Sequence, residues 1–318
     1  MRLSSSLLNI LFLGAGKRVS LLEYFQAAAN SLKIVLNTFC LEKQLKVPAG
    51  TMARILVGPD FKDAGFYDFL LEMVSRYDID MVIPNMDSAT VALSRVKDKI
   101  SEMGCRAVVS DQSLCVVMED KLLAERWFVE HEFQIPFGNE FPRIVKNRFG
   151  FGSRDQFIIH TEDELKVFFA RHNSEDYFIQ PFITGQEYSV DAYVDRSGHL
   201  LASLSRKRIE VSDGEVNVSE IHHHAGIKEL TYQLLSFPGW EGPITLQFID
   251  STSGPLVLEI NPRFGGGVTH SIHCGLDMPR WLIMEHLGLP IEPANCWSEG
   301  SIMTRCRRDF FYDIPDRS

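Results

Sequence analysis

Short apolar runs alternate with helical patterns through the first third of the chain, and this alternation restricts the fold more than any other feature. Helical periodicity follows a glycine turn at residues 14–16 and recurs at residues 66–74 and 91–100. Apolar runs typical of strands occupy residues 10–13, 34–36, 81–84 and 107–109. Because strands separated by helices usually form a parallel sheet covered on both faces, the pattern predicts an α/β domain.

The later part of the chain has a different pattern, in which a helix over residues 120–132 is followed by longer strands. These strands occupy residues 143–146, 177–183, 188–194, 200–204, 244–249 and 256–260. Short turns at residues 196–198 and 253–255 join neighbouring strands, which indicates antiparallel hairpins. The sequence therefore predicts a second domain of the α+β class.

Composition excludes several classes of function. The 318 residues include 32 Lys and Arg against 42 Asp and Glu, so the net charge of −10 argues against a nucleic-acid or membrane partner. No apolar run reaches the roughly 20 residues of a transmembrane helix, and we interpret residues 7–13 as a first strand rather than a targeting segment. The six cysteines form no Cys-x-x-Cys pair and fit no zinc spacing, which predicts a reducing, cytoplasmic environment.

The glycine turn after the first strand does not match a known phosphate-binding motif. Val19 stands where a dinucleotide fingerprint needs its third glycine, and Asn37 stands where it needs an acid. Arg18 follows Lys17 where a P-loop needs Ser or Thr. We interpret the segment as a tight strand-to-helix turn, although a helix N-terminus also attracts a substrate carboxylate or phosphate.

The strongest chemical pattern lies in the hairpin of residues 244–261. With a five-residue turn and residue 250 opposite residue 256, Gln247 lies opposite Glu259, unless a bulge shifts the register by one. Asn261 shares the face of Glu259 because side chains alternate along a strand. Three oxygen-bearing side chains then converge, and Mg²⁺ prefers oxygen ligands. A solvated polar face is the alternative interpretation.

Two glycine-rich segments indicate close approach of the backbone to a ligand. Three consecutive glycines at residues 265–267 follow Arg263, and such a run is entropically unfavourable without a reason of this kind. Upstream, a strand ends at Lys146 and a loop with glycines at 150 and 152 follows. A lysine and loop amides can hold phosphates. A mobile basic hairpin tip is the alternative for this loop.

In order and spacing, these segments resemble the ATP-grasp superfamily, and nearly the whole chain is similar to its carbamoyl-phosphate-synthetase-large-subunit-like branch. The matching segments are Glu-Asp-Lys at 119–121, Lys146 with its glycine loop, residues 179–191, Gln247, and Leu-Glu-Ile-Asn-Pro-Arg at 258–263. The resemblance implies an α/β, parallel-sheet pre-ATP-grasp domain over residues 1–115. It also implies an α+β ATP-grasp domain with antiparallel sheets over 116–300, a lid subdomain over about 120–185, and a C-terminal segment over 301–318.

The resemblance assigns phosphate-binding roles to two lysines, the lid and one arginine. Lys121 and Lys146 would contact the ATP phosphates, and Gly152 and Ser153 would lie in the glycine-rich lid. Arg263 would face the γ-phosphate and the acyl-phosphate intermediate, so that Lys146 and Arg263 are the expected catalytic residues.

The resemblance also assigns the nucleoside and metal contacts. Gln180 and Phe182 would mark the hinge strand that recognises the adenine edge, largely through the backbone. Glu187 would accept hydrogen bonds from the ribose hydroxyls. The metal would be Mg²⁺, with Mn²⁺ as the alternative ion, held by Gln247, Glu259 and Asn261.

Three positions depart from the family pattern. Many relatives have proline at the position of Asn147 and glycine at that of Asp155, so lid behaviour is less certain from the sequence. Gln247 replaces a common acid, which lowers the ligand charge for a second metal. The chain also lacks the duplicated synthetase half, so carbamoyl phosphate synthesis itself is not expected.

The resemblance implies an ATP-dependent carboxylate–amine ligase, in which a carboxylate is activated as an acyl phosphate and captured by an amine or thiol. The expected partners are small-molecule carboxylate and amine substrates, and the class suggests a homodimer. A non-catalytic ATP-binding sensor or scaffold is the alternative.

Three polar clusters lie outside this scheme. The histidines at 222–224 favour a structural or exposed role, with contact to ATP or acceptor as the alternative. The basic residues 206–208 are interpreted as a solvated turn or a phosphate contact. His270, Ser271 and His273 would border the acceptor pocket, without a catalytic role assigned to them.

Overall fold

The computed structural model describes residues 7–150, 155–212, 214–293 and 297–313. The first sheet contains the parallel strands β1 (Leu7–Leu13), β2 (Val35–Glu42), β3 (Arg54–Val57), β4 (Met81–Pro84) and β5 (Arg106–Ala107). Their order across the sheet is β3-β2-β1-β4-β5. The helices of this domain are α1 (Val19–Ser31), α2 (Phe66–Arg76), α3 (Asp87–Ser94) and α4 (Lys97–Glu102).

Helices cover both faces of the parallel sheet, which confirms the predicted α/β class. Ile10 and Phe12 of β1 belong to one apolar cluster, whereas Leu11 and Leu13 belong to a second. This separation follows from the alternation of side chains along a strand.

Two details of the predicted first domain were wrong. The single helix expected over residues 91–100 is broken between α3 and α4, and β3 was not anticipated. The apolar periodicity continues across the break because Val91, Val96 and Ile100 all pack in the same cluster. Sequence spacing alone therefore did not reveal the break.

The second part of the chain contains antiparallel sheets, as predicted. A three-stranded sheet has the order β7-β6-β8, formed by β6 (Arg143–Asn147), β7 (Gln156–Ile159) and β8 (Tyr177–Pro181). A six-stranded sheet is formed by β9 (Gln186–Val194), β10 (Leu200–Ser212), β11 (Glu215–Ile221), β12 (Gly242–Ser251), β13 (Gly254–Asn261) and β14 (Ile302–Thr304). Its order is β13-β12-β9-β10-β11-β14.

Within the described residues, six helices accompany these two sheets. They are α5 (Gln112–Glu119), α6 (Lys121–Glu130), α7 (Glu162–Phe169), α8 (Ala225–Leu235), α9 (Val268–His273) and α10 (Met278–His286). The helix predicted over residues 120–132 corresponds to α6, which begins one residue later because Asp120 is its N-cap. Asp120 accepts a hydrogen bond from the Leu122 amide at 3.0 Å, as an N-cap side chain does.

The two faces of the six-stranded sheet differ in character. Val190, Leu246 and Ile260 point to an apolar core shared with α5, α6 and α8. The opposite face carries polar side chains, because directly paired residues share a face and the pairs there include Ser189 with Arg206 and Ser189 with Gln247. This polar face borders the first domain.

The two domains share an apolar core and polar contacts. Phe12 and Phe25 of the first domain lie in one cluster with Tyr193, Leu204 and Phe264 of the second. The polar face of the large sheet is thereby held against the carboxyl ends of the parallel strands. Among the described residues, no helix has both the length and the apolar character needed to cross a membrane.

Candidate active site

The register of the β12–β13 hairpin places Gln247 directly opposite Glu259, as predicted. The reasoning behind that prediction was wrong in one step, because the turn is shorter than expected. Asp250 pairs with Pro255, and only two residues connect the strands. An irregularity between the pairs of Gln247 and Phe248 adds one residue to β13 and restores the predicted opposition.

Glu259 and Gln247 carry the oxygen atoms most suited to a metal. Neither side chain has a hydrogen-bond or ion-pair partner among the residues that the structure describes, and both are half-buried. Asn261 is more occupied, since its Oδ1 accepts a hydrogen bond from Arg263 Nη2 at 3.1 Å. The described residues contain no group of three or more His, Cys, Asp or Glu side chains placed to hold a metal ion. One carboxylate with amide oxygens fits Mg²⁺, which commonly completes its shell with phosphate and water.

Lys146 faces the same cleft from the three-stranded sheet. Lys146 pairs with Phe178, and Ile144 pairs with Gln180, so Lys146 and Gln180 share one face of that sheet. The other face packs on α7, with Val145 fully buried. The alternation of β6 therefore aims Lys146 away from the small core of this sheet.

The charges around Lys146 identify its neighbours. Burial lowers the pKa of the Lys146 ammonium, Glu259 raises it, Lys121 lowers it and Glu187 raises it. Two predicted phosphate-binding lysines, the principal metal candidate and the predicted ribose residue therefore lie around one cleft. A cation between two carboxylates at this depth suits the binding of a polyphosphate with its metal.

The start of the glycine loop is tied to the start of α6. Lys121 Nζ donates to the Gly150 carbonyl at 2.6 Å, and the Lys121 amide donates to the Arg148 carbonyl at 3.2 Å. Arg148 also makes an ion pair with Asp120, to which its Nε and Nη2 both donate. The predicted lid residues Gly152 and Ser153 lie outside the described residues.

The hinge follows β8, which ends two residues earlier than the predicted strand. The Phe182 amide donates to the Pro142 carbonyl at 3.0 Å, so it is engaged within the protein. The next amide, that of Ile183, makes no hydrogen bond within the described parts of the chain. The Ile183 amide is therefore available to a ligand, whereas the Phe182 amide, at a hinge position named from the sequence, is already engaged. Glu187 lies beside Arg208, with Oε2 and Nε 3.0 Å apart.

Arg263 joins the predicted site to the first domain. Its Nε and Nη2 donate to the two carboxylate oxygens of Asp87 at 2.6 and 2.7 Å. Burial lowers the pKa of Arg263, but the charge and hydrogen bonds of Asp87 together with the charge of Glu259 outweigh burial and raise it. The sequence analysis missed Asp87, which opens α3 and has only an apolar helix pattern around it.

The polar face also contains a buried ion pair that was not anticipated. Arg206 lies inside β10, and its Nε donates to Asp191 Oδ2 at 2.9 Å. Asp191 also accepts hydrogen bonds from Thr245 and Ser271 at 3.0 and 2.7 Å. The interpretation of residues 206–208 as a solvated turn was therefore wrong, because Arg206 is only 1% exposed and extends a strand.

The histidines occupy supporting positions. His224 caps α8 by accepting from the Ile227 amide, and its Nε2 lies 3.2 Å from Asp250 Oδ2. His222 Nδ1 lies 3.1 Å from Glu299 Oε1. His270 contacts the hydroxyls of two serines in the interior.

The glycine turn after β1 is satisfied by a side chain of the protein. The Gly16 amide donates to Glu42 Oε1 at 2.5 Å, where a phosphate-binding turn would leave its amides for a ligand. Burial raises the pKa of Glu42, and the Gly16 amide opposes this effect. The contact agrees with the interpretation of a structural strand-to-helix turn.

A cavity of about 650 Å³ lies at the outer end of the hinge. Its lining includes Phe137, Phe182 and Leu256, but none of Lys146, Gln247 and Glu259. It is therefore separate from the group of charged side chains described above.

Comparison with family models supports the division of the sequence into two kinds of structure. Residues 10–108 match the model described as "PylC-like, N-terminal domain". Residues 173–305 match the model described as "ATP-grasp in the biosynthetic pathway with Ter operon".

Curated relatives include the carbamoyl phosphate synthase large chains of Clostridium beijerinckii and Clostridium botulinum, at 27% and 28% identity over 150 residues. These alignments cover 43% of this chain and only 14% of each relative, so the chain corresponds to a small part of those proteins.

Two solved structures share the fold across 93% of this chain, each at 14% identity and a TM-score of 0.72. One is the biotin carboxylase domain of Hydrogenobacter thermophilus 2-oxoglutarate carboxylase, of which 74% is covered. The other is carboxyaminoimidazole ribonucleotide synthase from Aspergillus clavatus, of which 81% is covered. Residues 173–305 thus match an ATP-grasp family model, and the motifs, the second family model and the curated relatives support an ATP-grasp protein of the carbamoyl-phosphate-synthetase-like type.

Proposed function

We propose that this protein is an ATP- and Mg²⁺-dependent ligase that activates a carboxylate as an acyl phosphate for capture by an amine or thiol. The observation that carries the proposal is the cleft in which Lys146 interacts with Lys121, Glu187 and Glu259. Such a reaction uses phosphate-binding cations and a metal-binding carboxylate, and a carboxylate such as Glu187 would hold the ribose. The names of the solved relatives, a carboxylase domain with MgADP and a synthase with ATP, agree with it.

In the proposed reaction, the substrate carboxylate attacks the γ-phosphorus of ATP and the bond to the β–γ bridging oxygen breaks, which releases ADP. The amine then attacks the acyl carbon, inorganic phosphate leaves, and the amine loses a proton. When bound, Mg²⁺ would neutralise charge on the β- and γ-phosphates, with Glu259 and Gln247 as its principal protein ligands and Mn²⁺ as the alternative ion. Lys146 and Arg263 would stabilise the negative charge of the transferring group.

The proposal extends to the roles carried over by motif. Lys121 would hold phosphate, the hinge backbone around Gln180 and Phe182 would receive the adenine with the Ile183 amide as an added donor, and the lid beyond Gly150 would exclude water from the acyl phosphate. The substrates would be small molecules, the location cytoplasmic, and a homodimer the expected assembly. Domain boundaries at 1–115, 116–300 and 301–318 remain part of the same proposal.

Nucleotide binding is tested by thermal unfolding with Mg²⁺ and a non-hydrolysable ATP analogue. A ligand at 100 times its Kd stabilises the folded state by about 2.7 kcal/mol. We expect a metal-dependent shift in the wild type that is lost in Lys146→Ala. The control is Lys166→Ala, because Lys166 lies on α7 of the same subdomain with its side chain 66% exposed. Absence of the shift in the wild type would contradict the proposed nucleotide site.

Catalysis is tested by ADP release in a screen of carboxylates and amines, with wild type and Glu259→Gln. The variant keeps the shape of the side chain and removes the charge, so we expect turnover to be abolished and the unfolding temperature of the free protein to be unchanged. Turnover that survives in Glu259→Gln would show that the metal assignment is wrong. Nucleotide binding without substrate-dependent ADP release would favour the sensor or scaffold.

A further inference from the structure

Three arginines from distant parts of the sequence meet at the glycine run after β13. Arg18, the N-cap of α1, donates from Nη2 to the Gly265 carbonyl at 2.6 Å. Arg305, which follows β14, donates to the Gly266 carbonyl. The Arg206 guanidinium lies against Gly267 so closely that a Cβ at that residue would overlap it. We call Arg18, Arg206 and Arg305 the arginine cluster.

The arginine cluster carries more positive charge than its neighbours balance. Arg206 is paired with Asp191, and Arg305 Nη1 lies 3.3 Å from Glu215, whose side chain is 73% exposed. Arg18 has no ion-pair partner within the described ranges of the chain. Burial, followed by the charges of Arg263 and Arg305, lowers the pKa of Arg18 to about 10.

Two observations at the cluster point to a ligand. Arg206 Nη1 is buried and has no hydrogen-bond partner among the described residues. A Cβ built on Gly266 meets no atom within 4 Å, so there is open space beside the loop. An unpaired buried cation is unfavourable, and an oxyanion offsets that cost with charge-assisted hydrogen bonds.

The location of the cluster specifies which molecule would supply the anion. Arg18 donates to the Gly265 carbonyl, two residues after Arg263, the residue proposed to face the transferring phosphate. A group bound at the cluster would therefore belong to the molecule whose carboxylate reacts beside Arg263. The planar guanidinium fork matches carboxylate and phosphate oxygens, which makes arginine better suited to this task than lysine.

We propose that Arg18 and Arg305, with Arg206 behind them, bind a second oxyanion group of the acid that is activated, so that the substrate is a dicarboxylic acid or an acid bearing phosphate. This substrate class rests on the proposed function, but binding of the anion to the cluster does not require ATP. Arg18 and Arg305 are then specificity residues, contributed by the first domain and by the C-terminal segment.

The test is isothermal titration calorimetry of the full chain, without nucleotide, with three probes: succinate, inorganic phosphate and acetate. We expect succinate and phosphate to bind and acetate to bind more weakly. Arg18→Gln and Arg305→Gln should each weaken the affinity for succinate and for phosphate by about tenfold or more. Arg18→Lys keeps the charge but loses the fork, and should fall between wild type and Arg18→Gln.

Matched variants separate this site from its surroundings. Arg308→Gln removes an arginine three residues from Arg305 that pairs with Glu23, and should leave binding unchanged. Lys146→Ala should also retain succinate binding, because the phosphate-binding lysine belongs to the nucleotide site. Circular dichroism and thermal unfolding of each variant verify that the fold is intact.

Three outcomes would overturn the proposal: no binding of succinate or phosphate to the wild type at about 10 mM, equal losses in Arg308→Gln and Arg305→Gln, or unchanged binding in folded Arg18→Gln and Arg305→Gln. Failure of the proposed ligase function has a different signature. Anion binding would then persist, whereas nucleotide-dependent stabilisation and ADP release would be absent.

Discussion

His270 is a titratable residue enclosed by the polar face of the large sheet and 3% exposed. Its Nδ1 lies 2.9 Å from Ser219 Oγ, and its Nε2 lies 3.2 Å from Ser301 Oγ. Burial, then the charge of Arg206, lowers the pKa of His270 from 6.5 to about 4, against the opposing effect of Asp191. The folded protein therefore holds this imidazole neutral over a pH range in which the unfolded chain protonates it.

The lowered pKa of His270 predicts a loss of stability at acidic pH. Its contribution is fully present above pH 6.5 and is lost as the pH falls towards 4, because only the unfolded state gains the proton. The expected loss is about 3 kcal/mol in the free energy of unfolding. Urea unfolding at several pH values should show a smaller dependence on pH in His270→Asn than in wild type. Equal pH dependence in both proteins would contradict a lowered pKa of His270 in the folded protein.

Candidate site residues can be recognised in the sequence where a local motif surrounds them. Lys146 ends a strand before a glycine loop, and Glu259 alternates with apolar neighbours, so both stand out in the sequence. Asp87 and Arg18 do not stand out, because their contacts are with residues far away in the chain. Asp87 pairs with a residue 176 positions later, and Arg18 with the backbone 247 positions later. Only the packing of the two domains brings such pairs together.

Among the structural elements, the hinge between β8 and β9 is held by close contact with β12. A Cβ on Gly185 would overlap the Asp250 carbonyl oxygen, which belongs to the backbone and cannot move as a side chain can. This contact fixes the hinge next to the strand that carries Gln247. It also explains the glycine, which matches the family motif but has no predicted chemical role.

Gly185→Ala should therefore displace the hinge. Overpacking of this kind typically lowers the free energy of unfolding by about 1–3 kcal/mol, and we also expect weaker binding of an ATP analogue. Gly65→Ala is the matched control, since Gly65 has a φ of −78° and open space around its Cβ position. Thermal unfolding and nucleotide titration measure the two effects. A Gly185→Ala protein with the stability and affinity of the wild type would refute this account of the hinge.

Elements with a simple alternation were predicted well, and elements with charged or interrupted patterns were not. The β12–β13 hairpin was recognised from its alternation. Its short turn shifts the strand register by one residue and its bulge shifts the register back, and neither can be inferred from spacing. β10 was predicted to end near Leu204, yet it continues to Ser212. From the sequence, Arg206 resembles an exposed residue, because nothing near it in the chain indicates the ion pair with Asp191 on the neighbouring strand.

At the scale of the whole molecule, a polar network reinforces the apolar core shared by the two domains. Arg106 at the end of the parallel sheet contacts Glu241 at 3.1 Å and Glu285 at 2.8 Å, with its own side chain 5% exposed. Lys97 also reaches Glu241, at 2.9 Å. The Tyr193 hydroxyl donates to Glu285 at 2.5 Å. The site thus depends on the interface between the two domains.

We expect this interface to make unfolding a single cooperative transition. Arg106→Ala would leave two carboxylates in a largely buried environment, and breaking such a pair typically lowers stability by about 3–5 kcal/mol. Adding Glu241→Gln and Glu285→Gln should recover part of the loss, because the uncompensated charges are then removed. Arg95→Ala, which removes an exposed arginine bonded to the Tyr67 hydroxyl, should have little effect.

Guanidinium unfolding followed by far-ultraviolet circular dichroism and by tryptophan fluorescence tests this expectation. All four tryptophans of the sequence lie beyond the first domain, at positions 127, 240, 281 and 297, whereas circular dichroism reports on both domains. Coincident curves that shift together in Arg106→Ala would mean that the cleft and its supporting domain form one unit. Two separated transitions would mean that the first domain can unfold alone. The site residues from Lys146 to Arg263 would then remain folded after Asp87 and Arg18 had lost their contacts with them.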